Sequence, residues 1–135
     1  MAYWLLKTEP SEWSRNDQVK AGAKGTEWTG VRNPIARNNL KAMRKGDRAF
    51  FYHTGDEKQV VGIVEVVGEA RPESGDPEWT SVKVKAVAPV PTPVTLAAVK
   101  AEPKLAAMAL ARLPRLSVQP VAEAEWKLVS KMGGL

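Results

Sequence analysis

The sequence predicts one α+β domain whose strands form a mixed, mostly antiparallel barrel with short helices packed around it. Three observations support this fold class. The strand-like segments in the middle of the chain follow one another directly, which disfavours a doubly wound α/β fold. Helical patterns occur near both ends of the chain. A length of 135 residues suits one hydrophobic core, and we therefore expect a single domain over residues 1–135.

The predicted strands are short runs rich in β-branched and aromatic residues, bounded by glycine, proline or acidic turns. They cover residues 3–7, 48–53, 59–68 and 80–86. Residues 113–121 are expected to be extended, and residues 71–78, rich in proline, glycine and acidic side chains, are expected to form an exposed loop. Pro89, Pro91 and Pro93 predict an extended connection between the last strands and the C-terminal helices.

The first helix start is predicted from a capping box. Ser14 and Asp17 have the required spacing, so a short helix should follow and end near Gly22 or Gly25. Thr95 is a second candidate for an N-cap. The remaining helical segments are predicted over residues 104–111 and 123–132.

A stronger helix start lies at Asn33, which is a favourable N-cap and is followed by Pro34 at the first helical position. The helix is expected to end at Gly46. Apolar residues recur on one face at helical spacing and indicate the side that packs on the core. About 100° away, a cationic stripe is formed by Arg37, Lys41 and Arg44.

The net charge of +5 is concentrated in one short segment. Residues 31–48 contain six basic side chains and a single acidic one, whereas residues 1–30 and 49–135 each contain equal numbers of the two. A compact cationic surface is what phosphate binding requires, because each neutralised phosphate releases counterions. A solvated helix face without a partner, an acidic small molecule and an acidic protein are the other interpretations of this pattern.

The composition disfavours several classes of protein. Without cysteine there is no disulfide, no thiolate nucleophile and no sulfur metal site, and His53 is the single histidine. We therefore expect no metal and no cofactor. No apolar run approaches the roughly 20 residues of a membrane span, and the N-terminus lacks a signal-peptide pattern. We expect no membrane association and a cytoplasmic or other intracellular location, the nucleus in a eukaryote.

Five segments, in this order along the chain, resemble the EVE domain family of the PUA-like superfamily. They read YWLLKTEP at residues 3–10, WTGVRNPIARN at 28–38, FYH at 51–53, VGIV at 61–64 and RLSVQPV at 115–121. The family usually has serine where this sequence has Thr8, a change that keeps the hydroxyl. The resemblance covers nearly the whole chain and implies a PUA-like β-barrel that reads nucleic acid. It implies a modified cytosine in DNA as ligand, with a modified base in RNA as the alternative.

A base pocket needs flat apolar faces for stacking, together with donors and acceptors for the base edge. We predict such a pocket between the turn that carries Trp28 and Gly30 and the strand end that carries Phe51, Tyr52 and His53. Gly30 would allow a ligand to approach the backbone closely. The tryptophans expected behind these stacking faces are Trp4 and Trp13.

Polar residues are expected to complete the pocket. A carboxylate such as that of Glu9 can accept a hydrogen bond from the exocyclic amino group of cytosine. Strand alternation separates Lys7 and Glu9 from Thr8, so we expect at most two of the three to share a site. Asn33, with a competing role as N-cap, and Ser117 are the other candidates. The predicted phosphate-binding residues are Arg32, Arg37, Lys41, Arg44 and Arg115.

We interpret the chain as a monomeric nucleic-acid-binding module without catalytic residues. Two other functions remain open. An amidohydrolase acting on a modified nucleoside, as the related ASCH domains suggest, would use Lys7, Thr8 and Glu9, although no cysteine or second histidine is present to assist. A protein-interaction adaptor would need only the cationic stripe and no pocket.

Overall fold

The computed structural model describes all 135 residues and contains one six-stranded sheet. The strands are Tyr3–Thr8 (β1), Thr26–Trp28 (β2), Arg48–His53 (β3), Gln59–Glu73 (β4), Asp76–Thr95 (β5) and Val118–Val121 (β6). Their order in the sheet is β2-β5-β4-β3-β1-β6. β1 and β3 are parallel, and every other neighbouring pair is antiparallel. The predicted α+β class with a mixed, mostly antiparallel sheet is confirmed.

Short helices connect the strands. The α-helices are Arg15–Lys20 (α1), Pro34–Ala42 (α2), Leu96–Ala101 (α3), Ala109–Arg112 (α4) and Glu123–Met132 (α5), and the 3₁₀ helices are Gly22–Lys24 and Pro103–Leu105. Ser14 caps α1 in a capping box, and the side chains of Asn33 and Thr95 cap α2 and α3, which confirms all three capping predictions. None of the helices has the length and apolar character that crossing a bilayer requires.

The sheet curves around α2. This helix packs against β4, β5 and β6. Because β5 and β6 are four strand spacings apart, they would be separated by about 19 Å in a flat sheet. A helix only about 10–12 Å wide touches both, so the sheet must bend toward it. The two edge strands, β2 and β6, do not pair with each other, and the barrel-like curve therefore has a gap.

Alternating side chains divide the core between the two faces of the sheet. The cluster inside the curve contains Leu6 and Phe51 together with Leu40 of α2. The cluster on the outer face contains Phe50, which stacks on Trp126 of α5 with ring centroids 3.9 Å apart. Adjacent residues of one strand thus belong to different core clusters, so neighbouring aromatic residues of a strand face opposite sides of the sheet.

The predicted loop over residues 71–78 is wrong, because β4 and β5 form a long hairpin through this segment. β4 continues to Glu73, β5 begins at Asp76, and only Ser74 and Gly75 lie between them. The physical reason is a contact that is distant in sequence. The carboxylate of Glu73, only 8% exposed, accepts two hydrogen bonds from the guanidinium of Arg32 and fixes the tip of the hairpin.

Three further boundaries differ from the prediction. The proline-rich connection after residue 88 belongs to β5. On the side of β5 that faces away from β4, β2 pairs only with residues 82–84, so the rest of that side has no strand neighbour. Prolines are tolerated along such a free edge because no ladder hydrogen bond is lost. β2 itself lies where a loop was expected. α2 ends at Ala42 and not at Gly46, because Met43 is extended and the carboxylate of Asp47 accepts from the backbone N–H of Arg44.

Candidate nucleic-acid interface

A cleft of about 500 Å³ opens beside the gap between the two edges of the curved sheet. This volume lies within the roughly 300–1,000 Å³ of typical small-molecule sites. The lining residues come from the end of β1 and the turn after it, from β2 and the turn after it, and from the loop before β6. They are Lys7, Thr8, Glu9, Glu12, Trp13, Thr26, Glu27, Trp28, Thr29, Gly30, Val31 and Ser117.

Two tryptophans form fixed apolar walls of the cleft. Trp28 is 6% exposed and packs edge-on against Phe51, with ring centroids 5.6 Å apart. Trp13 is partly buried, and its indole N–H donates to Oε1 of Gln18 at 3.0 Å. Gln18 is fully buried and donates in turn to the carbonyl of Val84. Both rings are therefore held in place before any ligand binds.

The end of β1 brings three polar residues to the cleft, contrary to the expectation that at most two would share a site. Lys7, Thr8 and Glu9 all line it: Lys7 and Thr8 alternate on β1 but both reach the cleft at the end of that strand, and Glu9 lies just beyond it. The amine of Lys7 donates to the carbonyl of Pro114 at 2.9 Å, and burial lowers the pKa of this amine. The hydroxyl of Thr8 donates to the carbonyl of Trp13 at 2.9 Å.

Carboxylates outnumber the single amine in the cleft. Glu27 accepts hydrogen bonds from the hydroxyl and the backbone N–H of Ser74 and from the hydroxyl of Ser81. These bonds hold the pKa of Glu27 below its usual value, so this group stays ionised at neutral pH. Glu9 and Glu12 are the other two carboxylates. The cleft therefore repels anions and offers acceptors to hydrogen-bond donors.

The turn after β2 is tied to the β4–β5 hairpin. Gly30 has a φ of 82°, a conformation that favours glycine, and its N–H donates to Glu73 at 3.3 Å. Arg32 forms a bidentate pair with Glu73 at 2.9 and 3.0 Å and lies over the ring of Trp79. The prediction that Arg32 binds phosphate is therefore not supported by its contacts, because a buried carboxylate already occupies its guanidinium.

Four predicted pocket residues do not line the cleft. Phe51 is fully buried and supports Trp28 from behind. Tyr52 belongs to the outer cluster, because neighbouring residues of a strand face opposite sides. His53 is buried, and its Nε2 accepts from the backbone N–H of Arg15. The oxygen of the Asn33 side chain is used to cap α2. The second aromatic wall is Trp13 in place of Tyr52.

The remaining predicted phosphate ligands differ in exposure. Arg37 is partly buried against Trp79, with its guanidinium carbon 5.5 Å from the ring centroid. Lys41, Arg44 and Arg115 are exposed and form no salt bridge, and we call these three residues the outer cations. Lys41 lies on α2, Arg44 follows that helix, and Arg115 lies in the loop before β6. Of the five predicted phosphate ligands, they are the ones most available to a phosphate backbone.

Six lining residues were not predicted as pocket residues. Trp13 was expected only behind the pocket, and its place just before the helix cap at Ser14 gave no sign that its ring faces the cleft. β2 has only three residues, too few to show the period-two pattern of a strand, and turns show no such pattern at all. The other five residues lie on β2 or in the turns after β1 and β2, and they are Glu12, Thr26, Glu27, Thr29 and Val31.

The sequence profile of the EVE domain matches residues 2–132. Thymocyte nuclear protein 1 of Gallus gallus is 32% identical, over 94% of this chain and 66% of the chicken protein, so the chain spans about two thirds of that relative. An NMR structure of a Rhodopseudomonas palustris protein is 57% identical with a TM-score of 0.95, over 99% of this chain and 94% of the other.

A crystal structure of human THYN1 in complex with 5-methylcytosine-containing DNA is also similar. It is 30% identical to this chain and has a TM-score of 0.90, over 100% of this chain and 99% of the human one. These similarities extend over both edges of the curved sheet and over the segments that line the cleft. The chain is a member of the EVE domain family, as its motifs predicted.

Proposed function

We propose that this chain is a single-domain, monomeric module that binds nucleic acid, holding one base in the cleft and the neighbouring phosphates on the outer cations. The human THYN1 complex with 5-methylcytosine-containing DNA supports the choice of ligand, because that protein shares the fold over the whole of this chain. The geometry of the cleft supports the choice of site. An intracellular location is part of the proposal, since the ligand is found there.

The charge of the cleft favours a base over a phosphate. Three carboxylates and one amine line it, and a phosphate placed among them would meet net repulsion. A neutral base with an exocyclic amino group would instead find acceptors, as cytosine does in its pairing with carboxylates. Because Glu27 is held ionised by Ser74 and Ser81, this preference persists at neutral pH.

The shape of the cleft suits a flat ligand. Stacking of a base on an aromatic side chain contributes about 1–3 kcal/mol, and the rings of Trp13 and Trp28 are already fixed by their hydrogen bond and core contacts. Val31, buried at the same cleft, adds an apolar surface that could receive a methyl group. A modified cytosine in DNA is therefore the base that we propose.

Phosphate binding is assigned to the outer cations. Lys41 lies seven residues after the start of α2, about 10 Å along the helix axis from the first residue of the helix, which follows the turn that lines the cleft. Arg115 lies two residues before Ser117, which lines the cleft on the opposite side. Because the outer cations and the cleft are separate, the phosphate contacts can position the nucleic acid while the cleft binds one base.

We do not extend the proposal to catalysis. In the alternative hydrolase, Lys7 or Thr8 would act on the ligand, yet Lys7 already uses one N–H of its amine and Thr8 its only hydroxyl hydrogen to bind carbonyls of the protein. The structure also contains no group of three or more histidine, aspartate or glutamate side chains placed to hold a metal ion. A binding module explains the cleft without requiring any catalytic group.

The salt dependence of binding tests the role of the outer cations. Replacing Lys41 and Arg44 together by alanine should reduce the slope of log affinity against log salt by about 1.8 on duplex DNA, if each contacts one phosphate. Affinities for modified and unmodified oligonucleotides should fall by the same factor. The double variant Lys100→Ala, Lys104→Ala, which removes exposed lysines beside the outer core cluster, is the control. An unchanged slope in the first variant would contradict the assignment.

A further inference from the structure

The loop between α4 and β6 forms one rim of the cleft. Lys7, which lines the cleft, donates through its amine to the carbonyl of Pro114 and through its backbone N–H to the carbonyl of Ser117, both at 2.9 Å. Ser117 is itself a lining residue. The residues in front of it, 113–115, therefore lie at the rim and outside the cleft proper.

This rim loop is fixed from below by one buried amide. Gln119 is fully buried, and the two hydrogens of its Nε2 are shared among the carbonyls of Leu116 at 2.9 Å, Leu113 at 3.2 Å and Ala109 at 3.5 Å. The backbone N–H of Leu116 also donates to the carbonyl of Leu113 at 3.1 Å. The loop is thus organised before any ligand arrives, and binding need not order it.

The fixed loop holds an apolar side chain out into solvent. Leu113 is 49% exposed, and it is followed by the exposed residues Pro114 and Arg115. A single exposed leucine is unremarkable by itself. Here it stands on a rigid loop, next to a site shaped for a base and beside an unpaired guanidinium. An apolar side chain with a neighbouring cation is the combination that enters a base stack while neutralising the adjacent phosphate.

We propose that the nucleic acid bound by this protein is a duplex and that Leu113 fills the space left in the stack when the target base turns into the cleft. This inference rests on the proposed function. A base can reach the cleft from a duplex only by leaving the stack, which costs unstacking and unpairing energy. Leu113 offsets part of that cost by occupying the gap, and Arg115 binds a phosphate beside it.

The test compares a duplex that contains one 5-methylcytosine with the same strand in single-stranded form. Leu113→Ala should lower the affinity for the duplex roughly tenfold or more, because the apolar contact that the leucine makes inside the base stack is lost, and should leave the affinity for the single strand unchanged. Leu113→Met keeps the apolar bulk and should restore duplex binding. Val87→Ala is the matched control, since Val87 is 38% exposed and lines a separate groove beside α1.

Two outcomes would overturn the inference. If Leu113→Ala weakens both substrates equally, the leucine supports the cleft and does not fill a gap. If the duplex affinity is unchanged, the leucine does not enter the stack. Failure of the proposed function looks different, because the wild-type protein would then bind both substrates as tightly when they carry unmodified cytosine in place of 5-methylcytosine.

Discussion

Replacing Trp13 by alanine is expected to weaken binding to an oligonucleotide that carries 5-methylcytosine roughly 5- to 150-fold, which corresponds to the loss of one stacking contact. Trp13 is the better position for this test, because its ring is only partly buried. Trp28 is 6% exposed within the inner core cluster, and truncating it would add about 3–5 kcal/mol of lost folding stability.

The matched control for Trp13→Ala is Tyr3→Ala. Tyr3 is also a partly buried aromatic residue, but it stacks on Trp126 at the outer face, away from the cleft. Affinities are measured at one salt concentration against modified and unmodified oligonucleotides, with thermal melting to monitor folding. The loss caused by Trp13→Ala should be larger for the modified base. An equal loss for both bases, or the same loss in the Tyr3 variant, would remove Trp13 from the proposed site.

Replacing Asp47 by alanine is expected to reduce the free energy of unfolding by about 3 kcal/mol. The carboxylate of Asp47, 5% exposed, accepts from the backbone N–H of Ala2, the indole N–H of Trp4 and the backbone N–H of Arg44. Removing it leaves these donors without their acceptor. Denaturant titration measures the loss, and Asp56→Ala, at an exposed aspartate, is the control.

The same residue predicts a pH dependence. Burial alone would raise the pKa of Asp47, but the hydrogen bonds from Arg44, Trp4 and Ala2 hold that pKa below its usual value. A depressed pKa in the folded state stabilises the protein above the unfolded value, near 3.9, and this contribution is lost as the pH falls further. The stability difference between wild type and Asp47→Asn should therefore be constant above about pH 5 and shrink below about pH 4. A difference independent of pH would contradict this.

Local signals were sufficient for much of the fold. The capping box at Ser14 and the cap at Asn33 place the starts of α1 and α2 correctly, since their hydrogen bonds lie within three residues. The hairpin of β4 and β5 was not predicted, because the carboxylate of Glu73 at its tip pairs with Arg32, which lies 41 residues earlier in the sequence. Such a contact leaves no periodic pattern in either segment.

Only part of the site was predicted, because its position also depends on contacts between segments that are distant in sequence. Trp28 on β2, Gly30 in the turn after it and Ser117 in the loop before β6 line the cleft because they lie at the two edges of the curved sheet. Composition identified the aromatic run at Phe51 and Tyr52 but could not assign each ring to a face, and the structure places both in core clusters. The position of a cleft between two edges depends on sheet curvature, which no local pattern specifies.

The most direct measurement of the central claim is a backbone amide NMR titration of the intact chain with a 5-methylcytosine oligonucleotide and with its unmodified counterpart. If the cleft holds the base, the amides of Thr8, Thr29 and Ser117 should shift, and the shifts should differ between the two ligands. The amides near Lys41 and Arg44 should shift equally with both, because phosphates carry no information about the base. Shifts confined to the outer cations, with the cleft amides unchanged, would contradict the claim that a base is read there.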